Sequence, residues 1–166
     1  KQRQNQLTLV DNKLSTWLAP LVTQYYQGIA QCKDIAEAFT MLARFRVLCV
    51  TRHGEYGVDA LNQWIKELLI HRYNRSHTSY HGMPIMISEN DYRLGLFNGD
   101  IGLLWRSEGG HLMAFFESND QTDLREQEPE QTKSKSKGMA YKILLPSRLP
   151  KYDAGYAMTI HKIQSK

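Results

Sequence analysis

Residues 45–72 read FRVLCVTRHGEYGVDALNQWIKELLIHR, and the character of the sequence changes twice within them. The run 45–50 is short, apolar and rich in branched residues, which predicts a buried strand. Gly54 and Gly57 end that run, and apolar residues then recur at helical spacing over 58–72. A strand, a turn and a helix in this order predict a β-turn-α unit of an α/β sheet over 45–73.

Two helices are predicted before this unit. Apolar residues between positions 9 and 28 recur every three or four residues, which is typical of one face of an amphipathic helix. Asp34 stands where a helix N-cap belongs, and residues 35–43 have a helical composition. Helices next to a buried strand favour an α/β fold for this part of the chain.

After residue 73 short apolar runs alternate with turn residues. Strands are predicted at 83–88, 101–106, 112–117 and 141–145, with turns at 98–100 and 109–110. Such short strands are typical of a small barrel or half-barrel. Residues 118–138 hold an acidic stretch and an alternating Lys/Ser run, which predict a solvated loop. One more strand is predicted from residue 156, ending in a loop.

Composition and charge limit the class of protein. The chain is 42% hydrophobic and 23% charged, as is ordinary for a globular protein. No apolar run approaches the roughly 18 residues of a membrane span, and the first residues do not resemble a signal peptide, so we expect a cytoplasmic protein with no membrane partner. The net charge of +4 suits a polyanionic partner, although many domains without that role carry a similar charge. Cys32 and Cys49 form no ligand pattern and are expected to be buried thiols.

Three stretches together resemble one family of DNA motor proteins. Residues 82–91 (GMPIMISEND) with 95–102 (GLFNGDIG) resemble the barrel-insert motif of RecD-like helicases. Residues 156–162 (YAMTIHK) resemble the fifth helicase motif of that family. Residues 46–52 (RVLCVTR), with the glycines at 54 and 57 and the pair Leu61-Asn62, are similar to the fourth-motif region of bacterial RecD, the alpha subunit of exodeoxyribonuclease V.

This resemblance implies a superfamily-one helicase that moves 5′ to 3′ on single-stranded DNA and closes two RecA-like domains around ATP and Mg²⁺. The chain would belong to the second motor domain. Residues 1–82 would form its first part, 83–149 an inserted SH3-like β-barrel, and 150–166 the return to the RecA-like fold. RecB-like and RecC-like subunits would be partners in double-strand break repair and recombination. The alternatives are a stand-alone RecD-like helicase, or a barrel module that docks protein or DNA without a motor role.

The fifth-motif segment supplies the first candidate DNA contacts. Thr159, His161 and Lys162 would offer a hydroxyl, an imidazole and an ammonium that hold phosphates without reading bases. By spacing alone, a helix cap, a satisfied histidine and a solvated lysine explain these residues better, and the resemblance reverses that preference. The family continues with Ser-Gln-Gly, whereas Ile163 follows the lysine here, and Gln164 keeps the glutamine position as a candidate cofactor-binding residue.

Further candidates lie in the turns. Arg52 follows the predicted strand, where an open α/β sheet places ligand groups, so it is a candidate phosphate contact. A surface arginine paired with Glu55 is an equally good explanation. Arg93 and Asn98 are candidate DNA contacts, although residues 98–100 first predict a tight turn in which Gly99 takes a positive φ.

The remaining aromatic and histidine residues carry weaker signals. Tyr92 and Phe97 would either stack on bases or fill a small core, while Trp105, inside an apolar strand, is expected in the core. The histidines at 71, 77 and 81 have no fourth ligand at a recognised spacing, so we expect no metal site.

Two sequence features of an ATPase are missing from the chain. It has no GxxxxGK[ST] loop to hold phosphates and no acidic strand end to hold magnesium. The ATP-binding half is therefore expected outside this chain, and no ATPase activity is expected from the chain alone.

Overall fold

A computed structural model describes residues 16–73, 79–118 and 140–160. Helix α1 spans 16–29, and its middle turn, Thr23–Gln27, is π-helical. The other elements are α2 (Ile35–Arg44), β1 (Val47–Cys49), α3 (Val58–Tyr73), β2 (Met83–Ile87), β3 (Ile101–Arg106), β4 (Leu112–Ser118), β5 (Ala140–Leu144), a 3₁₀ turn (Pro146–Arg148), β6 (Tyr152–Ala154) and β7 (Ala157–Thr159). The described residues thus combine helices with two sheets, as an α/β class requires.

The predicted helices are present where the structure describes them. The Asp34 carboxylate accepts the N–H of Glu37 at 2.9 Å, which confirms the predicted N-cap of α2. Glu37 in turn accepts the N–H of Lys33 at 2.8 Å, so two N–H groups at this helix start have side-chain acceptors. Helix α3 covers the predicted 58–72 and one residue more.

The predicted strand over 45–50 is shorter than expected, and its burial was predicted wrongly in part. Only Val47–Cys49 forms a strand, and the Cys49 side chain is buried. Leu48 is 49% exposed and Val50 is 77% exposed. Among the described strands β1 pairs only with β7, in parallel, and Met158, in register with Leu48, is buried.

The second sheet is antiparallel, with strand order β5-β4-β3-β2-β6. Its first four strands lie at the predicted positions to within one residue at each end. Strand β6 was not predicted; it pairs with β2 from Ile85↔Ala154 to Ile87↔Tyr152. In the described residues this sheet is open, with β5 and β6 as its edges, and no closed barrel is formed.

One apolar core joins the helices to both sheets. All five residues of β2 are buried, and Ile85 and Ile87 belong to the same cluster as Tyr26 on α1 and Leu69 on α3. A strand buried on both faces reads as a continuous apolar run, as residues 83–87 do. No helix in the described part of the chain is long and apolar enough to cross a membrane.

Candidate nucleic-acid interface

The carboxyl ends of β1 and β7 lie side by side. The two strands run parallel and Cys49 is in register with Thr159. Arg52, three residues after Cys49, therefore emerges at the same edge of the sheet as Thr159, where α/β sheets place their ligand groups. Arg52 and Thr159 thus follow from or lie at neighbouring strand ends, whereas His161, Lys162 and Gln164 lie outside the described residues.

Arg52 takes part in a small ionic network. Its Nε lies 3.6 Å from Asp59 Oδ1 and its Nη2 lies 3.4 Å from Asp153 Oδ2, so its carboxylate partners are these two and not Glu55. His53 Nδ1 approaches the other oxygen of Asp59 at 3.0 Å. All of these side chains are 41% or more exposed, and exposed ion pairs contribute little free energy. An anionic ligand could therefore take the place of either carboxylate at small cost.

A tight turn positions Arg52 beside the start of α3. Gly54 has a φ of 99°, which favours glycine, and the N–H of Gly57 donates to the Gly54 carbonyl at 3.1 Å. A Cβ on Gly57 would lie 2.6 Å from the Arg52 carbonyl oxygen, so only glycine permits this approach. The carbonyl of Arg52 also accepts the N–H of Asp59 at 3.2 Å, which ties the turn to the first turn of the helix.

Asn62 on α3 fixes the other edge of β7. Its Nδ2 donates to the Ala157 carbonyl at 3.2 Å, and its Oδ1 accepts the Ala157 N–H at 2.9 Å. The side-chain amide thus occupies the place that a neighbouring strand would take, and both groups are buried. Asn62 belongs to the segment that resembles the fourth motif, but no role was predicted for it; the sequence signal was an amide between Leu61 and Ile65 on the apolar helix face.

Tyrosine hydroxyls hold the residue that precedes β7. The Tyr26 hydroxyl donates to the Tyr156 carbonyl, and the Tyr80 and Tyr156 hydroxyls share a hydrogen bond. Burial raises the pKa of Tyr26 well above its ordinary value, so this hydroxyl stays protonated and remains a donor. Helix α1, the segment before β2, and β7 meet at this point, a contact that was not predicted from the sequence.

The loop between β2 and β3 is shaped by its own polar side chains. Asp91 Oδ1 accepts the N–H of Leu94 at 3.0 Å, and Asn90 Oδ1 accepts the N–H of Asn98 at 2.8 Å. At the predicted turn, the N–H of Asp100 donates to the Phe97 carbonyl at 2.9 Å, with Gly99 at a φ of 100°. The structural role predicted for residues 98–100 is confirmed.

This loop presents its candidate contacts to solvent. Arg93 and Asn98 are exposed, and so are Tyr92 and Phe97, whose rings meet edge to face at 5.7 Å between centroids. Tyr92 is 80% exposed, which excludes it from the core. Trp105 is buried, as predicted, and packs on the His81 ring.

Four curated proteins are similar to the chain, and all carry the name RecBCD enzyme subunit RecD. That of Buchnera aphidicola subsp. Schizaphis graminum is 30% identical over 103 residues, which are 58% of this chain and 17% of that protein. The Haemophilus influenzae protein is 29% identical over 142 residues, covering 83% of this chain and 18% of its own length. The Mycolicibacterium smegmatis protein is 35% identical over 79 residues, which are 46% of this chain and 14% of that protein. The chain is RecD-like.

The relationship confirms the resemblance drawn from the three motifs. The RecD-like chain spans less than a fifth of the length of these three relatives. No protein-family model matches it. Relationship to RecD suggests a RecA-like helicase fold for its α/β part, and the parallel β1–β7 pair is compatible with that fold.

The RecD-like chain does not by itself fit ATP and Mg²⁺. Its sequence has no phosphate-binding GxxxxGK[ST] loop. Within the described ranges, no three His, Cys, Asp or Glu side chains are grouped closely enough to hold a metal ion. Arg52 is a single cation at the sheet edge, which by itself does not make a nucleotide site.

Proposed function

We propose that the RecD-like chain forms part of an ATP-dependent 5′-3′ DNA helicase subunit of a RecBCD-type exodeoxyribonuclease V, acting in the cytoplasm in double-strand break repair and recombination. The observation that carries this proposal is the relationship to RecD, together with the parallel pairing of β1, which Arg52 follows, and β7, which ends at Thr159. RecB-like and RecC-like subunits would be the partners, as the relatives' name suggests.

The contribution of the chain is to bind the backbone of single-stranded DNA. Thr159 at the end of β7, followed by His161 and Lys162, offers phosphate donors that are independent of base sequence. Arg93 and Asn98 offer further polar contacts from the exposed loop between β2 and β3. A translocating motor needs this kind of contact, because it must release each nucleotide whatever its base.

The chain contributes only one side of the ATP interface. Arg52 exchanges its exposed carboxylate partners for a phosphate, with Gln164 as a further nucleotide contact, and the rest of the ATP and Mg²⁺ site lies outside this chain. In this arrangement 1–82 and 150–166 belong to the second RecA-like motor domain, and 83–149 form its SH3-like insert. The chain alone would hydrolyse no ATP.

ATP hydrolysis by the full-length protein, with and without single-stranded DNA, tests this proposal beside the same assay on the chain. We expect strong stimulation by DNA in the full-length protein and no hydrolysis by the chain. Arg52→Gln in the full-length protein should lower the rate at saturating DNA, while Arg148→Gln, which also removes an exposed charge, should leave it unchanged. If single-stranded DNA did not change the rate of ATP hydrolysis by the full-length protein, the proposed motor function would be wrong.

The exposed pair Tyr92 and Phe97 favours a second candidate, in which the antiparallel sheet is a docking module without a motor role. Aromatic residues are enriched in protein interfaces. Salt separates the two candidates, because phosphate contacts weaken steeply as salt is added and apolar docking does not.

A further inference from the structure

A groove separates α2 from the five-stranded sheet. Its volume is about 790 Å³, within the range of roughly 300–1,000 Å³ that is typical of ligand clefts. Helix α2 supplies Phe39 and Leu42, and the sheet side supplies Leu96 and Phe116. The charged residues on its walls are Arg46, Lys142, Asp100 and Glu117.

Arg46 lies in this groove with its charge uncompensated by the described residues. Its Nη1 lies 4.0 Å from the Met158 sulfur, and no described carboxylate lies within 4.0 Å of the guanidinium. Desolvation lowers the pKa of Arg46, as burial of a cation does. A partly buried guanidinium without an acidic partner is costly, and an anion entering the groove would relieve that cost.

Lys142 on β5 supplies a second cation at the same groove. Its ammonium donates to the carbonyls of Leu94 at 2.5 Å and Gly95 at 3.2 Å. An ammonium has three N–H donors, so one remains for a ligand. A Cβ on Gly95 would lie 2.8 Å from this nitrogen, and Gly95 has a φ of 61°. Glycine at this position therefore leaves room for the Lys142 ammonium.

Among the described residues, neither acidic side chain of the groove forms an ion pair with these cations. The Asp100 carboxylate accepts the N–H of Phe97 at 2.8 Å, and Glu117 is exposed to solvent, where its charge is screened. Phe97 lies on the groove wall with 44% of its surface exposed, so part of its ring remains accessible.

We propose that this groove binds single-stranded DNA, with Arg46 and Lys142 each donating to a different phosphodiester and Phe97 stacking on an adjacent base. The inference rests on the proposed function and adds a binding subsite away from the ends of β1 and β7. Cations that hold the backbone and an exposed ring that accepts any base form a site without sequence preference.

Fluorescence anisotropy of a labelled oligothymidylate, titrated with the chain over a series of salt concentrations, tests the subsite. For a single strand, each lost phosphate contact makes the negative slope of log affinity against log salt shallower by about 0.7. We expect this change from Arg46→Gln and from Lys142→Gln, each with a loss of affinity on the order of tenfold. Arg106→Gln and Lys33→Gln remove exposed charges outside the groove and are the matched controls.

Substitution of the aromatic ring tests the stacking contact separately. Phe97→Leu should weaken binding without changing the salt slope, because no charge is removed. Phe97→Tyr keeps the ring and should bind as the unchanged chain does.

The outcomes separate the subsite from the proposed function. A chain that binds DNA with the same slope after Arg46→Gln and Lys142→Gln would overturn the subsite and leave the proposed function standing. A chain that binds no single strand at any salt concentration would overturn both. Circular dichroism checks the fold of each variant; should Arg46→Gln fail to fold, Lys142→Gln on its own decides the outcome.

Discussion

The loop at 91–98 and strand β7 both carry candidate DNA contacts. The side chains that hydrogen-bond to these two regions lie at very different distances from them along the sequence. In the loop, the side chains of Asn90, Asp91 and Asp100 accept N–H groups only three to eight residues away. Strand β7 is held by Asn62 and Tyr26, and these bonds span 95 and 130 residues of the chain. Apart from the Lys142 ammonium, which donates to the carbonyls of Leu94 and Gly95, these side-chain bonds of the loop are local, whereas the place of β7 depends on the assembled core.

This difference gives the two contact regions different sensitivities. A change in the core should displace β7 while the loop keeps its turn, and a change in the loop should leave β7 in place. Hydrogen exchange resolves the two regions, because exchange reports local opening separately from global unfolding.

The largest effect is expected from Asn62→Ala. The substitution leaves the buried N–H and carbonyl of Ala157 without the amide that pairs with them. Each unsatisfied group costs about 1–3 kcal/mol, so the loss of both should lower the free energy of unfolding by about 2–6 kcal/mol in urea denaturation. Gln63→Ala, at the exposed neighbouring position, should change it little. A loss no greater than that of the control would mean that Asn62 does not hold β7.

A smaller effect, confined to the loop, is expected from Gly99→Ala. A φ of 100° is strained for any residue with a Cβ, at a cost of about 1–3 kcal/mol. The amides of 91–98 should exchange faster while those of β7 keep their protection. Gly109→Ala has no positive φ and no atom closer than 3.6 Å to the new Cβ, so it should be almost neutral. Faster exchange in β7 as well would show that the loop and the strand are coupled.

Tyr26→Phe tests the hydrogen bond from α1 to the start of β7. The Tyr156 carbonyl keeps a second donor, the N–H of Val47 at 3.4 Å, so it is not left unsatisfied. We therefore expect a loss of only about 1 kcal/mol in thermal or urea unfolding. Tyr25→Phe, which keeps the stacking contact with Phe45, is the control. Equal losses in both variants would argue against a specific role for the Tyr26 hydroxyl.

The smallest effect is expected from Asp153→Asn, which removes one partner of Arg52. An exposed pair of this kind contributes about 0.2–1 kcal/mol, and added salt should reduce even that difference. Glu55→Gln, which changes the partner suggested by the sequence, should have no effect. A larger loss from Glu55→Gln than from Asp153→Asn would contradict the pairing seen in the structure.

The parts of the fold that the sequence predicted are those decided over short stretches. The cap at Asp34, the turn at 98–100 and the positions of β2 to β5 follow from local hydrogen bonding and from apolar periodicity. The burial of Trp105 followed from its place inside an apolar strand. The same local signals wrongly predicted that Leu48 on β1 is buried, because burial depends on which other parts of the fold cover the strand.

The candidate site was predictable only in outline. The resemblance pointed to Arg52 and Thr159, and the parallel pairing of their strands explains why they meet at one edge. It did not indicate that Asp153 pairs with Arg52, since Asp153 lies on β6, a three-residue edge strand with no periodicity of its own. Arg46 belongs to the segment that resembles the fourth motif but received no role from it, because a cation without a described acidic partner is recognised only from its surroundings.

The sequence by itself determined the helices, most of the strands, the turns and the relationship to RecD, since these depend on residue spacing and on motifs read along the chain. Only the tertiary structure decided that Asn62 takes the place of a strand beside β7, that three tyrosines meet before it, and that Arg46 and Lys142 line one groove. The physical reason is that each of these contacts joins residues distant in the chain, and long-range partners are chosen by the packing of the common core.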